Sequence, residues 1–322
     1  MEKRIALLVA SLVLMQVLGP GCAIRGDSSI VSYSKDELPT GVADAGMAFV
    51  QDTSGSLDVG VINDTVVDVF REPDTKSERV TQALYNQPAR ILGSSESWTK
   101  VKVVDGYTGW IKSKYLENDL SSINYCNFKF RVIITSKIKK IYAKAGSDIA
   151  LITAVMGSEF YSKNKKDGWY EIALPGNKTG WIDESGCIQL APGTHIPKTS
   201  PEDFVLTAGK FKGTVYLWGG VSSRGMDCSG LTYICGRING VDLPRDADKQ
   251  FSIGENVKDL SVARPGDLIF LGNGGNPEVI SHVMIYIGNN QVLHASKSKG
   301  SVIISPLDDT LKNRIVGIRR IF

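Results

Sequence analysis

Apolar and polar positions alternate in short runs through the first half of the chain. Val66 to Phe70 and Ile138 to Tyr142 read as strands, as do Trp98 to Val103 and Trp169 to Leu174. Each tryptophan-led run leads to the sequence Thr-Gly-Trp-Ile, at 108–111 and 179–182, with a second tryptophan twelve residues after the first. The two copies lie 71 residues apart, and self-similarity at a fixed spacing points to duplication. Two small all-β units are predicted, over 58–120 and 126–192. Trp98, Trp110, Trp169 and Trp181 are read as structural, the first of each pair as core.

The pattern then changes. Pro192, Pro197 and Pro201 mark a connection, and Phe204 to Ala208 reads as helical with Gly209 at its end. Cys228 to Arg237 predicts a helix with Leu231, Ile234 and Cys235 facing inward and Asp227 as its cap. Asp267 to Leu271 is an apolar strand. His282 to Ile287 and Gln291 to Ala295 form a predicted hairpin around Gly288, Asn289 and Asn290, residues that tolerate positive φ. A helix against an antiparallel sheet makes 200–322 an α+β unit.

Composition adds compartment. Lys3 and Arg4 precede an apolar stretch from Ile5 to Leu18, too short to span a bilayer comfortably, so 1–22 reads as an export signal. Gly19 to Cys22 resembles a lipobox, which would make Cys22 a lipidated residue and a membrane anchor. Residues 23–57 read as a linker. A net charge of +3 argues against nucleic acid as a partner. Cys126 and Cys187 bracket the second β unit and are candidates for pairing in an oxidising compartment. No Cys/His spacing suits a metal, so neither metal nor other cofactor is expected.

The candidate chemistry is nucleophilic. Cys228 opens the predicted helix, and a helix N-terminus and a neighbouring imidazole both favour a thiolate. The hairpin brings His282 and His294 onto adjacent strands. The expected roles are Cys228 as nucleophile, His282 as base and His294 as the orienting third group. His195, in the Pro/Gly-rich connection, is assigned no catalytic role.

Tyr216 to Gly220, Asp227 to Leu231, Pro244 to Asp246, Arg264 to Asp267, Ser281 to Val283 and Leu293 to Ala295 occur in an order that closely resembles the NlpC/P60 family of cell-wall cysteine peptidases. The resemblance covers about 120 residues, roughly 202 to the C-terminus, and implies a papain-like α+β catalytic domain. The β units resemble tandem bacterial SH3 domains. Their combination resembles the γ-D-glutamyl-L-diamino acid endopeptidases, which act on peptidoglycan-derived peptides bearing a free N-terminal L-Ala.

That resemblance implies substrate contacts from Asp227 to the ammonium, from Ser229 and Tyr216 near the L-Ala-D-Glu unit, and from Asp246 and Tyr107 in the pocket. Gln87 stands where the family often has an acidic residue, in Leu84-Tyr85-Asn86-Gln87, and offers an amide oxygen instead of a charge. Two other readings stay open: a D,L-endopeptidase remodelling intact peptidoglycan, and a non-catalytic wall-binding protein.

Overall fold

The computed structural model describes residues 58–273 and 276–322. The export signal, Cys22 and the 23–57 linker lie outside them.

The first β unit comprises β1 (Val59–Ile62), β2 (Val66–Phe70), β3 (Arg79–Leu84), β4 (Pro88–Ser95), β5 (Trp98–Lys102), β6 (Thr108–Lys112) and β7 (Leu116–Glu117). The second comprises β8 (Phe130–Ile134), β9 (Ile138–Tyr142), β10 (Ala150–Val155), β11 (Glu159–Lys166), β12 (Trp169–Leu174), β13 (Lys178–Asp183) and β14 (Cys187–Leu190). Strand order is β3-β2-β6-β5-β4-β1-β7 in one and β10-β9-β13-β12-β11-β8-β14 in the other, which is one topology used twice. Matching alternate residues fill both interiors: Val69, Val101 and Ile111 in the first, Ile141, Ile172 and Ile182 in the second, all fully buried. Trp98 is buried too, capped by the Lys112 ammonium 3.8 Å from its ring centre.

The remaining segment carries α1 (Pro201–Gly209), β15 (Val221–Ser222), β16 (Gly225–Met226), α2 (Cys228–Ile238), α3 (Ala247–Gln250), β17 (Glu255–Val257), β18 (Leu268–Asn273), β19 (Asn276–Gly288), β20 (Gln291–Ser296), β21 (Ser301–Pro306), α4 (Asp309–Lys312) and β22 (Ile315–Arg320). Ser200 and Asp203 form a capping box at the start of α1. The sheet runs β17-β22-β18-β19-β20-β21, antiparallel throughout. Asn289 and Asn290 turn the β19–β20 hairpin with φ of 50° and 55°. Thr214 to Trp218 makes two isolated bridges, Val215 with Ser301 and Tyr216 with Met226.

These segments share one core. Leu84 of the first sheet and Ile133, Val155 and Met156 of the second join Tyr233, Ile234 and Ile238 of α2 in a single buried cluster. Gly157, at φ +89°, lets Ile234 and Leu84 close over the β10–β11 turn, because a Cβ there would collide with the Ile234 side chain. Glu159, buried at the same junction, pairs with Arg131 at 2.7 Å and with Arg237 of α2. Cys187 is a free thiol, so the pairing with Cys126 does not form; burial pushes its thiol up to about 11. Among the described residues no helix is long and apolar enough to cross a membrane.

Candidate active site

Small residues let the chain close on itself at the start of α2. Asp227 is the N-cap, in extended conformation, and its Oδ1 accepts from Gly230 N at 2.7 Å. Gly230 packs so tightly on the Gly220 carbonyl that a Cβ would overlap it, and a Cβ on Gly220 would in turn overlap the Gly225 carbonyl. Cys228 is left as the first helical residue, half-buried, with backbone N–H groups of Val283 and Ser229 directed at its sulfur.

Val283 follows His282 on β19, so the sulfur sits beside the histidine strand. His282 Nε2 lies 2.8 Å from His294 Nδ1, and the rings meet nearly edge to face at 76°. With Nε2 committed to His294, Nδ1 is the nitrogen of His282 left for the thiol. His294 Nε2 lies 3.2 Å from Ser305 Oγ on β21. The structure thus brings Cys228, His282 and His294 into one region; His195 is exposed in the connection before α1.

Electrostatics depart from the expected thiolate. Burial pushes the Cys228 thiol up to about 11, reinforced by the Asp227 carboxylate and opposed by the Val283 and Ser229 N–H groups. Burial lowers His282 to about 3, helped by His294 and Arg314, and lowers His294 to about 4. These shifts favour a neutral thiol beside neutral imidazoles.

Asp227 is paired within the protein. The Arg245 guanidinium forks onto it at 2.7 and 3.0 Å, and Gly219 N donates to Oδ2 at 2.9 Å. Its charge is balanced inside the protein, and its oxygens tie the Gly219 loop to the start of α2. The Ser229 hydroxyl is likewise spent on Asp227 at 3.3 Å and Arg245 at 3.0 Å. Gln87 is buried in the turn after β3, its Oε1 accepting from Leu84 N at 2.8 Å.

Tyr107 reaches across from the first sheet, and its hydroxyl donates to Asp246 Oδ1. Burial raises the Tyr107 phenol, and Asp246 raises it further. Asp105 lies beside it, accepting from Tyr107 N at 3.0 Å and from the Thr81 hydroxyl; burial raises its carboxyl. Asp105, Gly106 and Tyr107, together with Pro244, Arg245 and Lys249, bound a cavity of about 220 Å³. Tyr216 is half-buried near Cys228, and burial followed by the Cys228 charge keeps it a neutral phenol.

Sequence reasoning missed Arg245, Gln250, Asp105 and Ser305. Gln250 is fully buried and holds Ser229 O at 3.0 Å, Pro244 O at 2.7 Å and the Thr232 hydroxyl at 2.6 Å, tying the Pro244–Asp246 loop to α2. Arg245 lay inside a recognised motif, Pro244 to Asp246, which was the available signal. Ser305 carried none. Among the described residues no three His, Cys, Asp or Glu side chains converge as a metal site.

Residues 213–320 match the model of the NlpC/P60 family, 65–117 that of the bacterial SH3 domain, and 159–186 that of the GW (Gly-Tryp) dipeptide domain. The second sheet thus matches a differently described model from the first while sharing its topology. A gamma-D-glutamyl-L-lysine dipeptidyl-peptidase of Bacillus cereus is 27% identical over 236 residues, 71% of this chain and 70% of the relative. The Bacillus subtilis protein of the same name is 27% identical over 251 residues, 75% of this chain and 81% of its own length. A solved NlpC/P60 family protein from Bacillus cereus shares the fold, with a TM-score of 0.75 at 23% identity, over 82% of this chain and 99% of that one.

Proposed function

For this chain, a cysteine peptidase with an NlpC/P60 domain, we propose cleavage of the γ-D-glutamyl-L-diamino acid bond in wall-derived peptides that bear a free N-terminal L-Ala. The observation that carries the reading is the Tyr107–Asp246 hydrogen bond, which joins the first sheet to the catalytic domain beside the cleft. It supports a wall on the amino side that admits a short peptide and blocks a substituted one. Asp246 then supplies the anionic environment for an ammonium, since Asp227 is balanced by Arg245. The names of the relatives at 27% identity agree with this bond.

The chemistry runs through Cys228. Its sulfur attacks the γ-carbonyl as its proton passes to His282 Nδ1. The oxyanion is met by the Cys228 backbone N–H, one of the helix-start donors without an intrahelical partner. His282 returns the proton to the leaving amine as the C–N bond breaks, giving a thioester of L-Ala-γ-D-Glu on Cys228. Water, deprotonated by His282, forms the new C–O bond and the thiolate leaves, taking the proton back. His294 holds the ring of His282 throughout.

The second sheet is read as a second bacterial SH3 domain, on its topology identical to the first. An envelope location, with export and an anchor at Cys22, fits substrates of this class. Action on intact peptidoglycan is the second reading, favoured by the Lys249 ammonium 3.0 Å from Asp246, which offsets part of the charge offered to a free amine. Mass spectrometry of products from L-Ala-γ-D-Glu-diamino acid, its N-acetyl form and sacculi tests both, with Cys228→Ala as control. Cleavage of the free-amine peptide alone is expected. Equal cutting of blocked peptide or sacculi would move the function to wall remodelling.

A further inference from the structure

The hydrogen-bonded histidines do not end the polar chain. His282, His294 and Ser305 sit on β19, β20 and β21, three consecutive strands of the sheet. His294 presents Nδ1 to His282 at 2.8 Å and Nε2 to the Ser305 hydroxyl at 3.2 Å. It is only 6% exposed, so bulk water does little to set where its proton resides.

A neutral imidazole carries one proton. For His282 to take the thiol proton at Nδ1, its own proton must be on Nε2 and donated to His294 Nδ1. The His294 proton must then be on Nε2, facing Ser305 Oγ. The opposite arrangement puts the His294 proton on Nδ1 and the His282 proton on Nδ1, toward the sulfur, where it disarms the base. A hydroxyl rotates to accept or donate, so both arrangements are open while the histidines are neutral. Once His282 is an imidazolium, only the direction ending on the serine as acceptor remains.

We propose that Ser305 is a positioning residue: by accepting from His294 Nε2 it orders the protons of both imidazoles and supports His282 while it holds the thiol proton. This rests on the reading of Cys228, His282 and His294 as the reacting set. The groups that bear electrostatically on His282 are His294 and, from the turn before β22, Arg314; Cys228 faces the pair from α2. The Ser305 backbone pairs with Val292 regardless of its side chain, so alanine there keeps the strand.

The test is long-range ¹H–¹⁵N spectroscopy of the full chain labelled at histidine, in wild type, Ser305→Ala and Ser305→Thr, alongside kcat and KM on L-Ala-γ-D-Glu-L-Lys. Wild type is expected to show His294 protonated at Nε2. Ser305→Ala should mix the tautomers and lower kcat roughly three- to tenfold, the weight of one neutral hydrogen bond, with KM unchanged. Ser305→Thr should restore both. A wild-type proton on His294 Nδ1, or unchanged tautomers and kcat in Ser305→Ala, overturns the proposal. A wild type silent on this peptide counts against the substrate reading alone, and the tautomer populations still decide on Ser305.

Discussion

Glu159, at the start of β11, takes Arg237 of the nucleophile helix on one carboxylate oxygen and Arg131 of its own sheet on the other. Burial alone would raise this carboxyl, and the two guanidiniums more than offset it, lowering it to about 2. The second sheet is therefore bound to α2 by a buried ionic junction as well as by the shared apolar core.

Glu159→Gln should destabilise the protein by about 3 to 5 kcal/mol, because two buried guanidiniums lose their counter-charge. The native carboxyl is depressed, so its contribution is complete above the ordinary carboxylate range, near 4.5, and disappears as pH falls toward about 2. Urea melts of wild type and variant at pH 7, 4 and 2.5 check this. A gap between them that stays constant across that range would contradict the assignment.

Tyr107→Phe keeps the ring and removes the donor to Asp246. The expected outcome is about tenfold weaker kcat/KM on the free-amine peptide. Steady-state kinetics measure it, and an unchanged kcat/KM would mean Tyr107 takes no part in recognising the amine.

Alkylation of Cys228 by iodoacetamide should climb with pH through the alkaline range toward about 11, because burial favours the neutral thiol. Imidazoles lowered to about 3 and 4 supply no positive partner near neutrality. Rates from pH 4 to 10, with Cys228→Ala subtracting other thiols, give the profile. A flat, fast plateau between pH 5 and 7 would show a resting thiolate–imidazolium pair instead.

Gly157→Ala places a methyl group against Ile234 at a positive φ. A loss of about 2 to 4 kcal/mol is expected from overpacking plus backbone strain. Thermal unfolding would reveal it, and an unchanged midpoint would mean the three-way junction is looser than it is built.

The repeated β units were legible because alternation and a fixed spacing repeat the same strand problem twice, with Val101 and Ile172, or Ile111 and Ile182, solving it identically. The hairpin carrying His282 and His294 was legible for the same local reason, since Asn289 and Asn290 accept positive φ. The surroundings of Gln87 and Asp227 were not legible, because residue type alone says nothing of pairing. An amide or a carboxylate looks available until its neighbours are known, and Leu84 N and Arg245 had already claimed these.

By itself the sequence determined what is local: the strand and helix periods, the capped cysteine at a helix start, the order of the nucleophile and the histidines. Tertiary structure alone decided what depends on convergence. It set the charge balance of Asp227, the reach of Tyr107 to Asp246, the fusion of the sheets through Glu159 and Gly157, and the extension of the histidine pair to Ser305. The physical reason is that burial and pairing energies fall off over a few ångströms of space, while the residues involved lie up to 139 positions apart in the chain.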